Sequence, residues 1–143
     1  MQREIQNRLV SKKKRVLVVD DQDQVRDVLK LGLEALGCAV EVACNGEEAL
    51  SLLGDGRYDA VVCDLMMPIM GGDELFRVCQ RRQPEMARRF VFLSGFLCGT
   101  AASNFVKATR QPYLSKPCLL ADVQAAIVHV TTPVANLWTT VSA

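Results

Sequence analysis

The sequence Val16-Leu17-Val18-Val19-Asp20-Asp21 runs four apolar residues directly into two carboxylates. Three later segments repeat this arrangement of a short β-rich run followed by a polar side chain. They are 60–63 before Asp64, 90–93 before Ser94, and 113–115 before Lys116-Pro117. Apolar runs without alternation are typical of strands buried on both faces of a parallel sheet. Because ligand sites in such sheets lie beyond the carboxyl ends of the strands, we expect these polar groups to meet in one place.

The bulk composition is that of one ordinary globular domain. The chain has 143 residues, 50% of them hydrophobic, and a net charge of +1. Neither a disordered chain nor a general nucleic-acid binder has this balance, so we expect no direct nucleic-acid partner. No apolar stretch approaches the ~20 residues of a membrane helix, and no signal-peptide pattern opens the chain, so no membrane association is expected. The six cysteines contain no C-x-x-C pair, which favours a reduced, cytoplasmic protein.

Hydrophobic periodicity predicts alternating strands and helices. The expected strands cover 16–20, 40–42, 59–64, 90–93 and 112–115. The first helix begins at Asp23, ends at Gly37 and presents one apolar face, formed by Val25, Val28, Leu29, Gly32 and Leu36. Asn45-Gly46 is predicted to be a turn. Later helices are expected around Ala49, Leu50 and Leu53; around Leu75, Phe76 and Cys79; over 99–109; and around Leu120, Val123, Ile127 and Val130.

This alternation predicts an α/β fold, a doubly wound (βα)₅ flavodoxin-like three-layer sandwich with a parallel sheet. An edge-like second strand favours the sheet order 2-1-3-4-5, whose switch point lies between strands one and three. We expect a basic N-terminal extension over 1–14, the domain itself over 15–131, and a C-terminal tail over 132–143.

Asp20, Asp21 and Asp64 are expected to gather at that switch point. Carboxylates brought close together repel one another and raise one another's pKa unless a cation intervenes. Hard oxygen ligands suit Mg²⁺, which usually takes one or two protein carboxylates, several waters and a phosphate oxygen. A helix cap would explain Asp20-Asp21 alone, but it would not explain Asp64 and Lys116 at matching strand ends.

The same residues favour phosphoryl chemistry. A carboxylate such as Asp64 can attack phosphorus and form an acyl phosphate. Such a transfer depends mainly on positioning and charge neutralisation, which Mg²⁺ and the Lys116 ammonium would supply. The Ser94 hydroxyl could donate a hydrogen bond to a phosphoryl oxygen.

These segments, in this order and spacing, resemble the receiver domain of two-component response regulators from about Arg15 to about Val130. The segments that carry the resemblance are Val16-Leu17-Val18-Val19-Asp20-Asp21, Asp64-Leu65-Met66-Met67-Pro68, Gly71-Gly72, Phe92-Leu93-Ser94-Gly95 and Tyr113-Leu114-Ser115-Lys116-Pro117. The resemblance implies that Asp64 is the phosphoacceptor and that Lys116 pairs with the phosphoryl group. It also implies that Asp21, Asp64 and the Met66 backbone carbonyl bind Mg²⁺, with Asp20 acting largely through water.

The resemblance further implies a switch made of Ser94 and Tyr113. A phosphoryl group adds about −1.5 to −2 charge, so Ser94 would turn toward it and vacate space that Tyr113 can fill. The readout surface would be the fourth helix, the fifth strand and the fifth helix. The expected partners are a histidine kinase or histidine phosphotransfer protein and an unknown downstream protein, with a possible homodimer through the readout surface.

Alternative functions remain open at this point. One is a receiver module of a hybrid kinase acting in a phosphorelay. The segment 105–114 weakly resembles such receiver modules.

A Mg²⁺-dependent phosphatase would require an acid two residues after Asp64, where Met66 stands, although Asp21 followed by Asp23 comes nearer to this pattern. A flavin-binding electron carrier would want a loop rich in Ser, Thr and Gly after the first strand. A receiver that only docks partners would not need Asp64, Ser94 and Lys116. We therefore expect a signalling switch that catalyses only its own phosphorylation and dephosphorylation.

Overall fold

Five parallel strands form a single sheet in the computed structural model, which describes residues 13–95 and 101–132. The strands are β1 (Arg15–Val19), β2 (Ala39–Ala43), β3 (Ala60–Asp64), β4 (Phe90–Ser94) and β5 (Tyr113–Ser115). Their order across the sheet is β2-β1-β3-β4-β5, as the sequence predicts. The first and last residues of each strand lie within one residue of the predicted positions. The first strand ends at Val19, which leaves Asp20 just beyond its carboxyl end.

The helices alternate with the strands. They are α1 (Asp23–Ala35), α2 (Gly46–Asp55), α3 (Gly72–Arg82), α4 (Ala101–Thr109) and α5 (Leu120–Thr131). A four-residue helix, Pro84–Ala87, follows α3 and was not predicted. Its signal was the proline, since proline is favoured at the first position of a helix. The predicted helix over 99–109 begins at Ala101, and residues 99 and 100 lie outside the described part of the chain.

Two hydrophobic cores lie on opposite faces of the sheet. Leu17 and Val19 of β1 pack on one face with α2, α3 and α4. Val16 and Val18 pack on the other face with α1 and α5. Because all four side chains are fully buried, β1 shows no alternation of polar and apolar residues. This explains why an unbroken apolar run is the sequence signature of a central strand here.

The predicted apolar face of α1 was partly wrong. Val28 is 69% exposed and Leu36 is 45% exposed, whereas Leu33 is fully buried beside Leu29. The reason lies at Gly32, where a Cβ atom would approach Leu120 of α5 to within 2.7 Å. The close approach of α5 determines which face of α1 is buried. The sequence of α1 contains several overlapping apolar faces, so its periodicity alone could not identify the buried one.

Asn45 caps a helix instead of forming a simple turn. Its side-chain oxygen accepts a hydrogen bond of 2.9 Å from the backbone N–H of Glu48 at the start of α2. Asparagine followed three residues later by Glu is a recognised helix-start pattern, so the sequence carried this signal.

The predicted extension and tail remain predictions, because 1–12 and 133–143 lie outside the described residues. Across 13–95 and 101–132, no helix combines the length and apolar character that crossing a bilayer requires.

Candidate functional site

The carboxyl ends of β1 and β3 and the loop after β5 bring Asp20, Asp64 and Lys116 into direct contact. Lys116 Nζ lies 2.6 Å from Asp20 Oδ2 and 3.1 Å from Asp64 Oδ2. Both contacts are ion pairs with hydrogen-bond geometry. The sequence therefore predicted correctly that polar groups from separate strand ends would meet, although it did not predict the contact between Lys116 and Asp20.

Asp20 is fully buried. Its Oδ1 accepts a hydrogen bond of 2.9 Å from the backbone N–H of Gln22, and its Oδ2 accepts one from Lys116. An ionised carboxylate is costly to bury unless it is paired and hydrogen-bonded, and both conditions hold here. The expected role of Asp20 through metal-bound water stays a prediction.

Asp64 faces the site with a side chain that is 7% exposed. Its Oδ1 accepts a hydrogen bond of 3.3 Å from the backbone N–H of Met66. Burial raises the pKa of Asp64 and the neighbouring charge of Asp20 adds to this, while attraction to Lys116 opposes it. The net effect is a raised pKa, which means that the ionised form of Asp64 is disfavoured. A cation bound beside Asp64 would stabilise this ionised form.

The pKa of Lys116 is also raised. Burial favours its neutral form, but the hydrogen bonds to Asp20 and Asp64 and the attraction of both carboxylates together outweigh burial. Lys116 therefore stays an ammonium over the whole physiological range of pH and acts as a fixed positive charge beside Asp64.

Carboxylate oxygens of Asp20, Asp21 and Asp64 lie within 4.8 Å of one another. Asp21 is exposed, so it can contribute to a metal site without leaving water. A donor set made only of carboxylate oxygens fits Mg²⁺, which keeps several waters and binds through few carboxylates. The predicted ligand role of the Met66 backbone carbonyl remains a prediction.

The start of α3 packs closely against the backbone that carries Asp64, at Gly72. A Cβ atom at this position would lie 2.3 Å from the backbone oxygen of Asp64 and 3.0 Å from Cys63 Sγ. The Gly72 N–H also donates a hydrogen bond of 3.0 Å to the Leu65 carbonyl. Only glycine fits there, and this packing fixes the backbone that carries Asp64.

Sequence reasoning missed Arg26. From the first turns of α1 its guanidinium donates a hydrogen bond of 2.6 Å to the backbone oxygen of Asp20 and pairs with the Asp23 carboxylate. Arg26 therefore ties the loop after β1 to α1. The sequence contained no specific signal for this contact, because an arginine on an amphipathic helix is usually solvated.

Ser94 is buried at the end of β4, whereas Tyr113 at the start of β5 is 45% exposed. Phe92 pairs with Tyr113 and Ser94 pairs with Ser115 in the register of these strands. Ser94 lines the same cavity as Asp21, Asp64 and Lys116. The two predicted switch residues therefore lie on neighbouring strands, and Tyr113 belongs to the edge strand of the sheet.

Comparisons with known proteins agree with this arrangement. A family model described as the response regulator receiver domain matches residues 16–128. Response regulator MprA from Mycolicibacterium vanbaalenii is 35% identical over 122 residues, which cover 83% of this chain and 52% of that protein. Sensor kinase CckA from Brucella abortus is 32% identical over 114 residues, which cover 78% of this chain and 12% of the kinase. The chain thus spans about half the length of MprA and a much smaller share of CckA.

Solved structures give the same result. The response regulator TrrA from Thermotoga maritima, in complex with Mg²⁺-BeF, superposes with a TM-score of 0.72 at 27% identity, covering 82% of this chain and 98% of that one. The five-stranded order, the cluster of polar groups at the strand ends and the match over 16–128 all agree. The chain therefore belongs to the family of response regulator receiver domains.

Proposed function

We propose that this chain is a signalling switch that accepts a phosphoryl group on Asp64 in the presence of Mg²⁺ and then changes its partner-binding surface. The observation that carries the proposal is the contact of Lys116 with both Asp64 and Asp20, beside the exposed Asp21. A structural ion pair needs one carboxylate, whereas this ammonium contacts two, and a third carboxylate lies close to both of them. We take 15–131 as the signalling unit.

Asp64 is the acceptor in this proposal because one of its oxygens is anchored and the other faces a cation. The Met66 N–H holds Oδ1, and Lys116 contacts Oδ2. Attack of a carboxylate oxygen on phosphorus forms the acyl phosphate, and the bond from phosphorus to the donor group breaks. Lys116, already beside Oδ2, then pairs with a phosphoryl oxygen. Bound Mg²⁺ would supply further charge neutralisation for the phosphoryl group.

The switch is proposed to run from Ser94 to Tyr113. Ser94 lines the cavity that contains Asp64, so its hydroxyl can reach a phosphoryl oxygen by a rotation of its side chain. Tyr113 is partly exposed on the edge strand, and in this proposal its ring moves inward when Ser94 turns toward the phosphoryl group. The face made by α4, β5 and α5 would then present a different surface to a downstream protein or to a second copy of the chain.

The proposed phosphodonor is a histidine kinase or a histidine phosphotransfer protein. The similarity to a segment of the sensor kinase CckA supports a second candidate context, in which this receiver is a module of a hybrid kinase in a phosphorelay. Both contexts need the same chemistry at Asp64. They differ in whether the phosphoryl group passes from Asp64 to a further histidine.

A Mg²⁺-dependent phosphatase is the competing enzyme function. It would require an acid two residues after Asp64, but Met66 occupies this position and its side chain is largely exposed. This geometry supports self-phosphorylation over turnover of general phosphate esters. Steady release of phosphate from simple monoesters would favour the phosphatase.

The experiment that tests the proposal is incubation with a small acyl-phosphate donor and Mg²⁺. We expect the natural chain to gain one phosphoryl group and the Asp64→Asn variant to gain none. Labelling of the variant to the same extent, or no labelling of either protein, would overturn the proposal. Transfer of the phosphoryl group from the labelled chain to a histidine phosphotransfer protein would support the phosphorelay context.

A further inference from the structure

A second cavity, of about 530 Å³, opens at the opposite end of the sheet from the acidic cluster. It lies between the segments that lead into β3, β4 and β5 and the last turn of α5. Asp64 and Lys116 line a different cavity. A volume in the range of roughly 300–1,000 Å³ is typical of small-molecule sites.

The lining of this cavity is rich in cations. Arg88 and Arg89 come from the segment before β4, and Arg110 comes from the segment before β5. Across residues 13–95 and 101–132, neither Arg88 nor Arg110 forms an ion pair. A guanidinium that lines a concave surface without a carboxylate partner is available to an anion from solution.

Two carboxylates, Asp59 and Glu85, also line the cavity. Asp59 Oδ2 already accepts a hydrogen bond of 2.7 Å from the backbone N–H of Arg15. At the edge, Lys14 Nζ donates a hydrogen bond of 3.0 Å to Thr131, a residue of the lining. The three arginines and Lys14 therefore outnumber the carboxylates, and the local charge is positive.

Side chain to backbone hydrogen bonds hold the arginine-bearing segments together. Gln111 Nε2 donates to the backbone oxygens of Arg88 and Phe90, each at 2.9 Å. Arg89 Nη1 donates a hydrogen bond of 2.9 Å to the backbone oxygen of Tyr58. These contacts join three segments that are distant in sequence, so the cavity has a fixed frame.

Arg110 occupies an unusual backbone conformation, with a φ of 62°. Residues other than glycine rarely adopt a positive φ. Such a conformation persists only where the surrounding structure holds it in place. Thr109 Oγ1 donates a hydrogen bond of 2.6 Å to the Val106 carbonyl and accepts one of 3.1 Å from the Gln111 N–H. Glycine would relieve the strain at this position, yet the chain places an arginine there.

We propose that this cavity binds a small phosphate-bearing anion through the guanidiniums of Arg88 and Arg110. The planar guanidinium fork matches the oxygen geometry of phosphate and makes charge-assisted hydrogen bonds to it. The two arginines come from different segments and line the same cavity, so we expect a ligand with two phosphate groups to contact both. This site is independent of phosphorylation at Asp64.

The competing explanation is that these cations only complement helix dipoles. Basic residues favour the C-terminal ends of helices, and Arg81 and Arg82 in the last turn of α3 serve this purpose. They are not among the described residues of the cavity lining. Substituting Arg81 and Arg82 therefore removes the same charge from a nearby surface without touching the cavity.

Calorimetric titration with pyrophosphate, in chelator and at constant ionic strength, tests the proposal. We expect saturable binding to the natural chain and to the Asp64→Asn variant. The double variant Arg88→Gln/Arg110→Gln should bind about tenfold more weakly or worse, because it lacks two charge-assisted contacts, whereas Arg81→Gln/Arg82→Gln should bind normally. No saturable binding by the natural chain, or equal weakening in both double variants, would overturn the proposal.

A single substitution gives a second test whose two readouts move in opposite directions. Arg110→Gly removes a side chain from a left-handed backbone position, so the melting temperature should rise. The same change should weaken pyrophosphate binding. A variant that is more stable and still binds pyrophosphate as tightly as the natural chain would contradict a ligand role for Arg110.

Discussion

The Lys116 ammonium lies 2.6 Å from Asp20 Oδ2, a carboxylate oxygen of a fully buried side chain. Lys116→Gln would leave Asp20 and Asp64 as neighbouring buried charges without a cation. Removing one partner of a buried ion pair lowers the free energy of unfolding by about 3–5 kcal/mol. We expect Lys116→Gln to lower it by about 3 kcal/mol in the presence of a chelator. Urea denaturation measures it.

The matched control for this substitution is Lys30→Gln. Lys30 and Glu34 form an exposed pair at 3.8 Å on α1, and such pairs contribute at most about 0.5 kcal/mol. A loss of stability in Lys116→Gln no larger than that in Lys30→Gln would contradict the role given to Lys116.

Asp64→Asn should stabilise the domain at neutral pH in chelator, by on the order of 1 kcal/mol. Because the pKa of Asp64 is raised by burial, the folded state binds a proton at this carboxyl more tightly than the unfolded state does. The corresponding stability is present below the unfolded pKa and is lost as the pH rises through the folded pKa.

The advantage of Asp64→Asn should therefore be largest at pH 7 and shrink as the pH is lowered toward 4. Denaturant titrations of both proteins across this range measure it. An advantage that grows on acidification would have the wrong sign for a carboxyl with a raised pKa.

Asp21→Asn should weaken Mg²⁺ binding by about tenfold or more while leaving the fold intact, since Asp21 is an exposed member of the three-carboxylate cluster. Calorimetric titration with Mg²⁺ measures this change. Asp73→Asn is the control, because Asp73 lines the same cavity and lies outside the cluster. Equal losses in the two variants would indicate diffuse attraction of cations instead of a defined site.

Gly72→Ala should destabilise the domain by about 2 kcal/mol or more, because its Cβ would lie 2.3 Å from the backbone oxygen of Asp64. Gly54→Ala is the matched control. Gly54 lies within α2, and beyond its chain neighbours and the backbone of its own helix no atom lies within 4 Å of its added Cβ, so the same change should stabilise by about 0.5–1 kcal/mol. Thermal unfolding of both variants measures the two changes in stability. Opposite signs would show that packing at Gly72, and not the Gly→Ala change in general, causes the loss of stability.

The proposed switch can be followed through the tyrosines, of which the chain has two. Fluorotyrosine labelling should give one signal from Tyr113, which shifts on phosphorylation, and one from the buried Tyr58, which stays in place. Ser94→Ala should still accept phosphate but show a smaller shift at Tyr113. An unchanged Tyr113 signal in the fully phosphorylated natural chain would rule out this pair as the switch.

Much of the fold could be predicted from the sequence because each central strand is an unbroken apolar run that ends in a polar residue. The alternation of Glu41 with Val40 and Val42 predicted that the second strand lies at an edge. From this edge position the order of the strands in the sheet was predicted. The meeting of Asp20, Asp64 and Lys116 followed from the shared carboxyl edge of parallel strands.

What could not be predicted depends on contacts between distant elements. The inward face of α1 is decided by Leu120 approaching Gly32, and periodicity alone allowed several faces. The bridge from Lys116 to Asp20 depends on side-chain reach across the sheet. The hydrogen bond from Arg26 to the Asp20 carbonyl depends on the path of the loop, which no local pattern specifies.

The most direct measurement locates the phosphorylated residue itself. Treating the chain with an acyl-phosphate donor and Mg²⁺, then with borohydride, converts an acyl-phosphorylated aspartate to homoserine, which peptide mass spectrometry can place. We predict conversion at Asp64, abolished when Mg²⁺ is omitted. Conversion at Asp20 or Asp21 instead, or at no aspartate, would contradict the assignment of Asp64 as the acceptor.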